Sequence, residues 1–276
     1  MQIDWTFDDE NTYGVVYAMV ELDAHETDEL VQRAYERFGR LIKADPGTER
    51  ERAAELLTDR ELERFVAESV MAVAADDAMA RLDRNVMFVP QCERREPLRE
   101  HEPFAFAVKT CTVPDMNLDL DTPIQVPEGE DAARRVVNAL RNRLNGTVPD
   151  AHLKRQRAIV DNDFRQELRD ADMSERDYRI EHRLKPDALE ARLRQRAMDE
   201  LTKNIALELV FLRKGLEAGT QEEDAMLSAF APGNEEALRQ DMADSGRLCL
   251  LYEEARRHAA LDWAVENLTD QPSSNR

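Results

Sequence analysis

A chain of 276 residues exceeds the ~100–200 residues of a typical domain, so two domains, or one domain with a long appendage, are expected. Charged residues make up 35% of it and the formal net charge is -20, with no lysine–arginine cluster clear of acidic neighbours, which argues against generic DNA or RNA binding. Three widely spaced cysteines, Cys92, Cys111 and Cys249, support neither a disulfide framework nor a zinc site. The opening MQIDWTFDDE lacks the basic-then-apolar order of a signal peptide, and no stretch approaches the ~20 apolar residues of a membrane span. A cytoplasmic location with no membrane partner is the expectation.

Tyr13 to Leu22 (YGVVYAMVEL) is β-branched and aromatic and predicts a strand. Leu30, Val31, Ala34, Phe38, Leu41 and Ile42 then recur at steps that predict a helix, ended by Asp45-Pro46-Gly47. Thr58-x-x-Glu61 is a capping-box pattern that opens a second helix carrying Leu62, Phe65, Val66, Val70, Val73 and Leu82. Val86–Val89, Phe104–Val113 and Leu118–Val126 are short β-prone segments punctuated by prolines. Strand, two helices and three strands predict an α+β sandwich over residues 1–127.

The composition changes at Pro127-Glu-Gly-Glu130, which reads as a hinge. Residues 1–127 carry 14 basic and 28 acidic side chains, and residues 128–276 carry 24 and 30, so the first part is the acidic one. Residues 128–276 read as all-helical: roughly Asp131–Leu144, a helix from Pro149, a short one capped at Ser174-x-x-Asp177, Pro186–Leu216, Asn234 to about Asp244, and Gly246–Leu268, before a polar tail at 271–276. In Pro186–Leu216 a single stripe of Leu189, Leu193, Ala197, Leu201, Ile205, Leu209, Leu212 and Leu216 runs the length of the helix.

The order of these elements, with YGVVYAMVELDA entering a helix, FAFAVKTCTVP followed by Leu118–Val126, and Thr147-Val148-Pro149-Asp150 opening a later helix, resembles bacterial trigger factor, the ribosome-associated chaperone. The resemblance implies a ribosome-binding-domain-like first domain at 1–127. It implies a trigger-factor C-terminal/SurA-like domain of helical arms at 128–276. Members of the family usually insert an FKBP-type prolyl isomerase between the two parts. Here Val126 and Pro149 are separated by about twenty residues, too few for any such domain, so isomerase activity is not expected. The family's ribosome-docking loop has the form Gly-Phe-Arg-x-Gly-Lys-x-Pro. In the corresponding stretch Gly39 and Pro46 keep the spacing, while Arg40, Leu41, Lys43 and Ala44 replace the internal residues and Asp45 adds negative charge. Ribosome docking by the family's mode is therefore not expected, although the ribosome remains a partner to test.

Other motifs carry little chemistry. Asp115-x-Asn117-x-Asp119-x-Asp121 begins like a calcium loop but has Leu120 and Val126 where glycine and glutamate are needed. Asp244-Ser245-Gly246 reads as a helix break rather than a nucleophile turn. The five histidines show no metal-ligand spacing, and no phosphate-cradling glycine motif occurs. No catalytic residue, metal or cofactor is expected. The expected activity is ATP-independent, holdase-like binding of unfolded or nascent polypeptides. Ile159, Phe164, Leu168, Met173, Tyr178, Met226, Leu227 and Phe230 are the candidate contact residues, each of which also reads as core. The alternative is an assembly or adaptor protein serving one folded partner. Exposed arms would also allow a homo-oligomer.

Overall fold

The computed structural model of the protein describes residues 1–8, 14–127 and 131–269, so the expected hinge at 128–130, Tyr13 and the polar tail lie outside the described residues. Four strands, Gln2–Asp8 (β1), Val15–Leu22 (β2), Gln91–Arg94 (β3) and Phe104–Cys111 (β4), form an antiparallel sheet in the order β1-β2-β4-β3. Between β2 and β3 come the helices Ala24–Ile42 (α1), Glu49–Leu56 (α2) and Asp59–Met79 (α3). The α3 start is the predicted capping box of Thr58 and Glu61, and Asp23 with Glu26 makes a second one at α1. Strand alternation sends Ala18, Val20, Leu22, Phe104, Phe106 and Val108 to one face, where Val31 and Ala34 of α1 and Val66, Val70 and Ala74 of α3 complete the core.

β1 was not expected, although its alternation points Ile3 and Trp5 into this core. The strand expected at Val86–Val89 is reduced to a bridge between Val86 and Thr112, and the edge strand begins beyond Pro90, whose missing N–H interrupts a ladder. The strand expected over Leu118–Val126 is likewise short. Asn117–Leu118 (β5) is followed by a turn in which the Asp119 carboxylate accepts from the Asp121 and Thr122 amides, a local bond that competes with strand pairing.

The remaining elements are Ala132–Arg143 (α4), Leu144–Asn145 (β6), Asp150–Asp170 (α5), Glu175–Glu181 (α6), Pro186–Lys214 (α7), Thr220–Phe230 (α8), Glu235–Asp244 (α9) and Leu248–Leu268 (α10). An α+β first part followed by helices is thus the architecture. The compact units, however, follow contacts rather than chain order: one is Met1–Val113 with Ala218–Ala255, the other Pro114–Glu217 with Arg256–Arg276. The single cut expected after Pro127 falls inside the second unit, and residues 218–255 leave the helical part to complete the first.

In the first unit, α9 and the start of α10 fold back on α1 and α3, and α8 packs on α9. The buried Asp244 meets Arg33 at 3.6 Å and also bonds Arg40 and Gln240, while Asp76 of α3 accepts from the Leu248 and Cys249 amides at 3.1 and 2.9 Å. Asp76 therefore satisfies two of the amides that a helix start leaves without an intrahelical partner. Gly246 adopts φ +62°, and a Cβ there would lie 2.2 Å from the carbonyl carbon and oxygen of Ala72. Only glycine fits both the turn and the approach.

In the second unit α5 and α7 pack along each other through Val160, Phe164, Leu189, Leu193 and Ala197. β5 pairs with β6, and Arg213 near the end of α7 donates to the Leu118 and Met116 carbonyls at 2.8 and 2.6 Å. The wholly buried Glu208 of α7 accepts from Arg256 of α10 at 3.1 Å and lies 3.7 Å from Arg257. Burying a carboxylate requires such partners, since an unpaired one would lose its ionised form.

Candidate functional site

The long apolar stripe of α7 is the first feature to test as a binding groove. Leu189, Leu193, Ala197, Leu201, Ile205 and Leu209 are all buried, and only Leu212, 48% exposed, and the half-buried Leu216 are reached by solvent. α4 and α5 both pack on α7. The stripe is core, and its margins are stitched by ion pairs of Arg157 with Glu190 and of Arg196 with Glu167 and Glu200, at 2.7, 2.9 and 2.9 Å. Both carboxylates hold the Arg196 pKa above its ordinary value, Glu200 more than Glu167.

The candidate contact residues separate by burial and by unit. Ile159, Phe164, Leu168, Met173 and Tyr178 belong to the second unit, and Met226, Leu227 and Phe230 to the first. Phe164, Leu168 and Tyr178 pack in or against the α5/α7 core, with the Phe164 and Tyr178 rings edge to face at 5.0 Å. Leu227 is 1% exposed, and Met173 and Met226 are half-buried. Ile159 at 39% and Phe230 at 63% are the exposed members. Ile180, 65% exposed on α6 between Arg179 and Arg183, was missed by sequence reading, because a seven-residue helix offers too few turns to define a face.

The stretch matched to the docking loop is largely helix. Gly39 through Ile42 form the last turn of α1, and Lys43 is its left-handed C-cap at φ +56°. Gly39 is buried against the Glu49 side chain, Arg40 is held by Asp244, and Lys43 and Pro46 are exposed.

The sheet has a second face. Strand register aligns Asp4, Met19, Ala107 and Glu93 in one row and Gln2, Glu21 and Ala105 in the next, opposite to the core-facing residues. With residues 95–103 this face bounds a cavity of about 990 Å3. The wall is tied down on its outer side, where Glu100 accepts from Arg50 at 2.8 and 2.9 Å and the His101 amide donates to Asp28 at 2.8 Å. Burial pushes the Cys92 pKa up to about 12, and burial with the neighbouring Asp76 raises that of Cys249, which disfavours the reactive thiolate at both. No helix of the described residues is long and apolar enough to cross a membrane.

The family model for the C-terminus of bacterial trigger factor protein matches residues 129–266, half of the chain. The chain belongs to the trigger factor family. A solved structure of the trigger factor chaperone, described for promiscuous substrate recognition in folding and assembly activities, is 12% identical. Its alignment covers 97% of this chain and 100% of that one at a TM-score of 0.39. No curated protein matches the sequence. The trigger factor match covers residues 129–217 and 256–266 of the second unit, together with residues 218–255 of the first.

Proposed function

We propose that this trigger factor family member is an ATP-independent, holdase-like chaperone that shields unfolded or nascent polypeptides by weak, multivalent contact. It works without prolyl isomerase activity, covalent chemistry or a cofactor. The observation that carries the reading is the family match over 129–266. Dispersed exposed side chains, Ile159, Ile180, Leu212 and Phe230 among them, on a heavily charged surface support it, since small apolar increments of ~25 cal/mol per Å2 attract many sequences and commit to none. The test is light scattering from a chemically unfolded client diluted with the purified protein and no nucleotide. The expected result is suppressed aggregation with no acceleration of a prolyl-limited refolding phase. Undiminished aggregation together with background-level binding of unfolded peptides would sink the reading.

Delivery of clients away from the ribosome is part of the same proposal. Its support is that Gly39–Ile42 are helical and that Arg40 is engaged by Asp244, leaving little of a flexible basic loop to meet ribosomal RNA. Co-sedimentation with ribosomes at low salt would overturn it. The covering of the α7 stripe favours a second reading, an assembly or adaptor protein with one folded partner, because a generalist gains most from a long open groove. A pull-down yielding one stoichiometric partner in place of many clients would select it.

A further inference from the structure

The open face of the sheet is built against the usual preference for bulky residues in a central strand. On β4, Phe104, Phe106 and Val108 fill the core, while the alternate positions on the other side are Ala105, Ala107 and, outside the cavity lining, Lys109, whose ammonium lies over the Tyr17 ring. Flanking strands place the longer Met19 and Glu21 on one side and Glu93 on the other, so the floor dips along β4 and forms a trough. Ala105, Glu21 and Glu93 are exposed, which makes the cavity an open channel instead of an enclosed small-molecule pocket.

Charge states what suits it. Glu21, Glu93 and Glu96 line the trough and make no ion pair among the described residues, and Glu102 has Arg99 at 3.5 Å. Arg95 and the Met1 ammonium, which is paired with Glu26, are the other cations of the lining, and Asp23 adds a further carboxylate. A cleft lined mostly by one sign of charge concentrates the opposite sign. We propose that this trough binds extended polypeptide segments rich in lysine and arginine, small side chains lying over Ala105 and Ala107 and cationic ones reaching Glu21, Glu93 and Glu96. The proposal rests on the polypeptide-binding reading and specifies the substrate class for the first unit. The anchored outer side of residues 95–103 gives the channel a standing wall, so little ordering opposes entry.

The test uses the full chain and fluorescent unstructured peptides of one apolar framework carrying lysine, glutamine or glutamate at alternate positions. Anisotropy should show the lysine peptide bound about tenfold tighter than the glutamate peptide at low salt, with the preference shrinking as salt rises. Glu21→Lys with Glu93→Lys should abolish the preference, and Ala105→Trp should weaken binding of all three peptides. Should the charge reversal or the tryptophan disturb folding by circular dichroism, Glu21→Gln with Glu93→Gln provides the same reading with smaller perturbation. Equal affinity for the three peptides, or a preference that survives loss of both carboxylates, overturns the proposal. So does salt-sensitive self-association abolished by the charge reversal without peptide binding, which would make a second copy the occupant. Suppressed aggregation of a neutral client with no lysine preference sinks the trough alone. A lysine preference without any suppression sinks the chaperone reading alone.

Discussion

The seam between α5 and α7 and the seam that holds residues 218–255 to α1 and α3 are made of different materials. The first is an apolar stripe in which Leu189, Leu193 and Ala197 interlock with Val160 and Phe164. The second depends on single groups: one glycine that lets two backbones meet, and two buried aspartates that accept from amides and arginines. An apolar seam degrades gradually as methylenes are removed. A polar seam at close approach fails at individual positions.

Substitutions can break this contrast. Gly246→Val should have the largest effect, about 4 kcal/mol or more, because it combines a left-handed φ with a backbone clash at Ala72. Urea denaturation should show the loss, and amide exchange should locate it in α3 and the first turn of α10. Wild-type stability would refute the close approach. Leu201→Ala, at a wholly buried position of α7, should cost about 3 kcal/mol, with faster exchange in α7 and the first turn of α10 still protected.

Asp76→Ala should cost about 1–3 kcal/mol by leaving the Leu248 and Cys249 amides without their acceptor, and Asp76→Asn should recover part of it. Equal losses in the two variants would show that acceptor geometry is not what matters. The smallest effect concerns the exposed Asp28–His101 pair on the trough wall. Asp28 sits below the ordinary carboxylate value, chiefly through the His101 amide, and His101 above the ordinary imidazole value, chiefly through its hydrogen bond to Asp28. His25, Glu100 and Arg50 supply the other nearby charges. The His101 contribution is complete below its unfolded pKa and lost as pH rises through its raised folded value. That of Asp28 is complete above its unfolded pKa and lost as pH falls through its lowered one. The contact thus holds in the window between the two folded values. The His101 midpoint by NMR should lie above ~6.5 and move back in Asp28→Asn; an unchanged midpoint would remove the pairing from solution.

Legibility in the sequence followed the same divide. The α7 stripe, the Thr58 capping box and the alternation of β2 and β4 were readable because each is a local pattern imposed by helix or strand geometry. Gly246 was readable as a helix break, but its contact with Ala72 was not, since nothing local in GRLCL names a partner in α3. Among the candidate contacts, Ile159 and Phe230 proved exposed while Phe164 and Leu227 are core. Hydrophobicity sets the cost of exposure and leaves open which face a neighbour covers. Ala105 and Ala107 were overlooked for the opposite reason: a binding floor made by missing side chains leaves no chemical mark.

The two-part first unit also has a consequence in time. Its stretches 1–113 and 218–255 are separated by roughly a hundred residues of chain. At ~5–20 residues per second of synthesis, α9 and the start of α10 emerge on the order of 6–30 s after the sheet is complete. During that interval Arg33, Arg40 and the backbone of Ala72 face solvent, and Asp76 has no helix start to cap. A protein proposed to shelter growing chains is, while it grows, itself a chain with an unfinished surface.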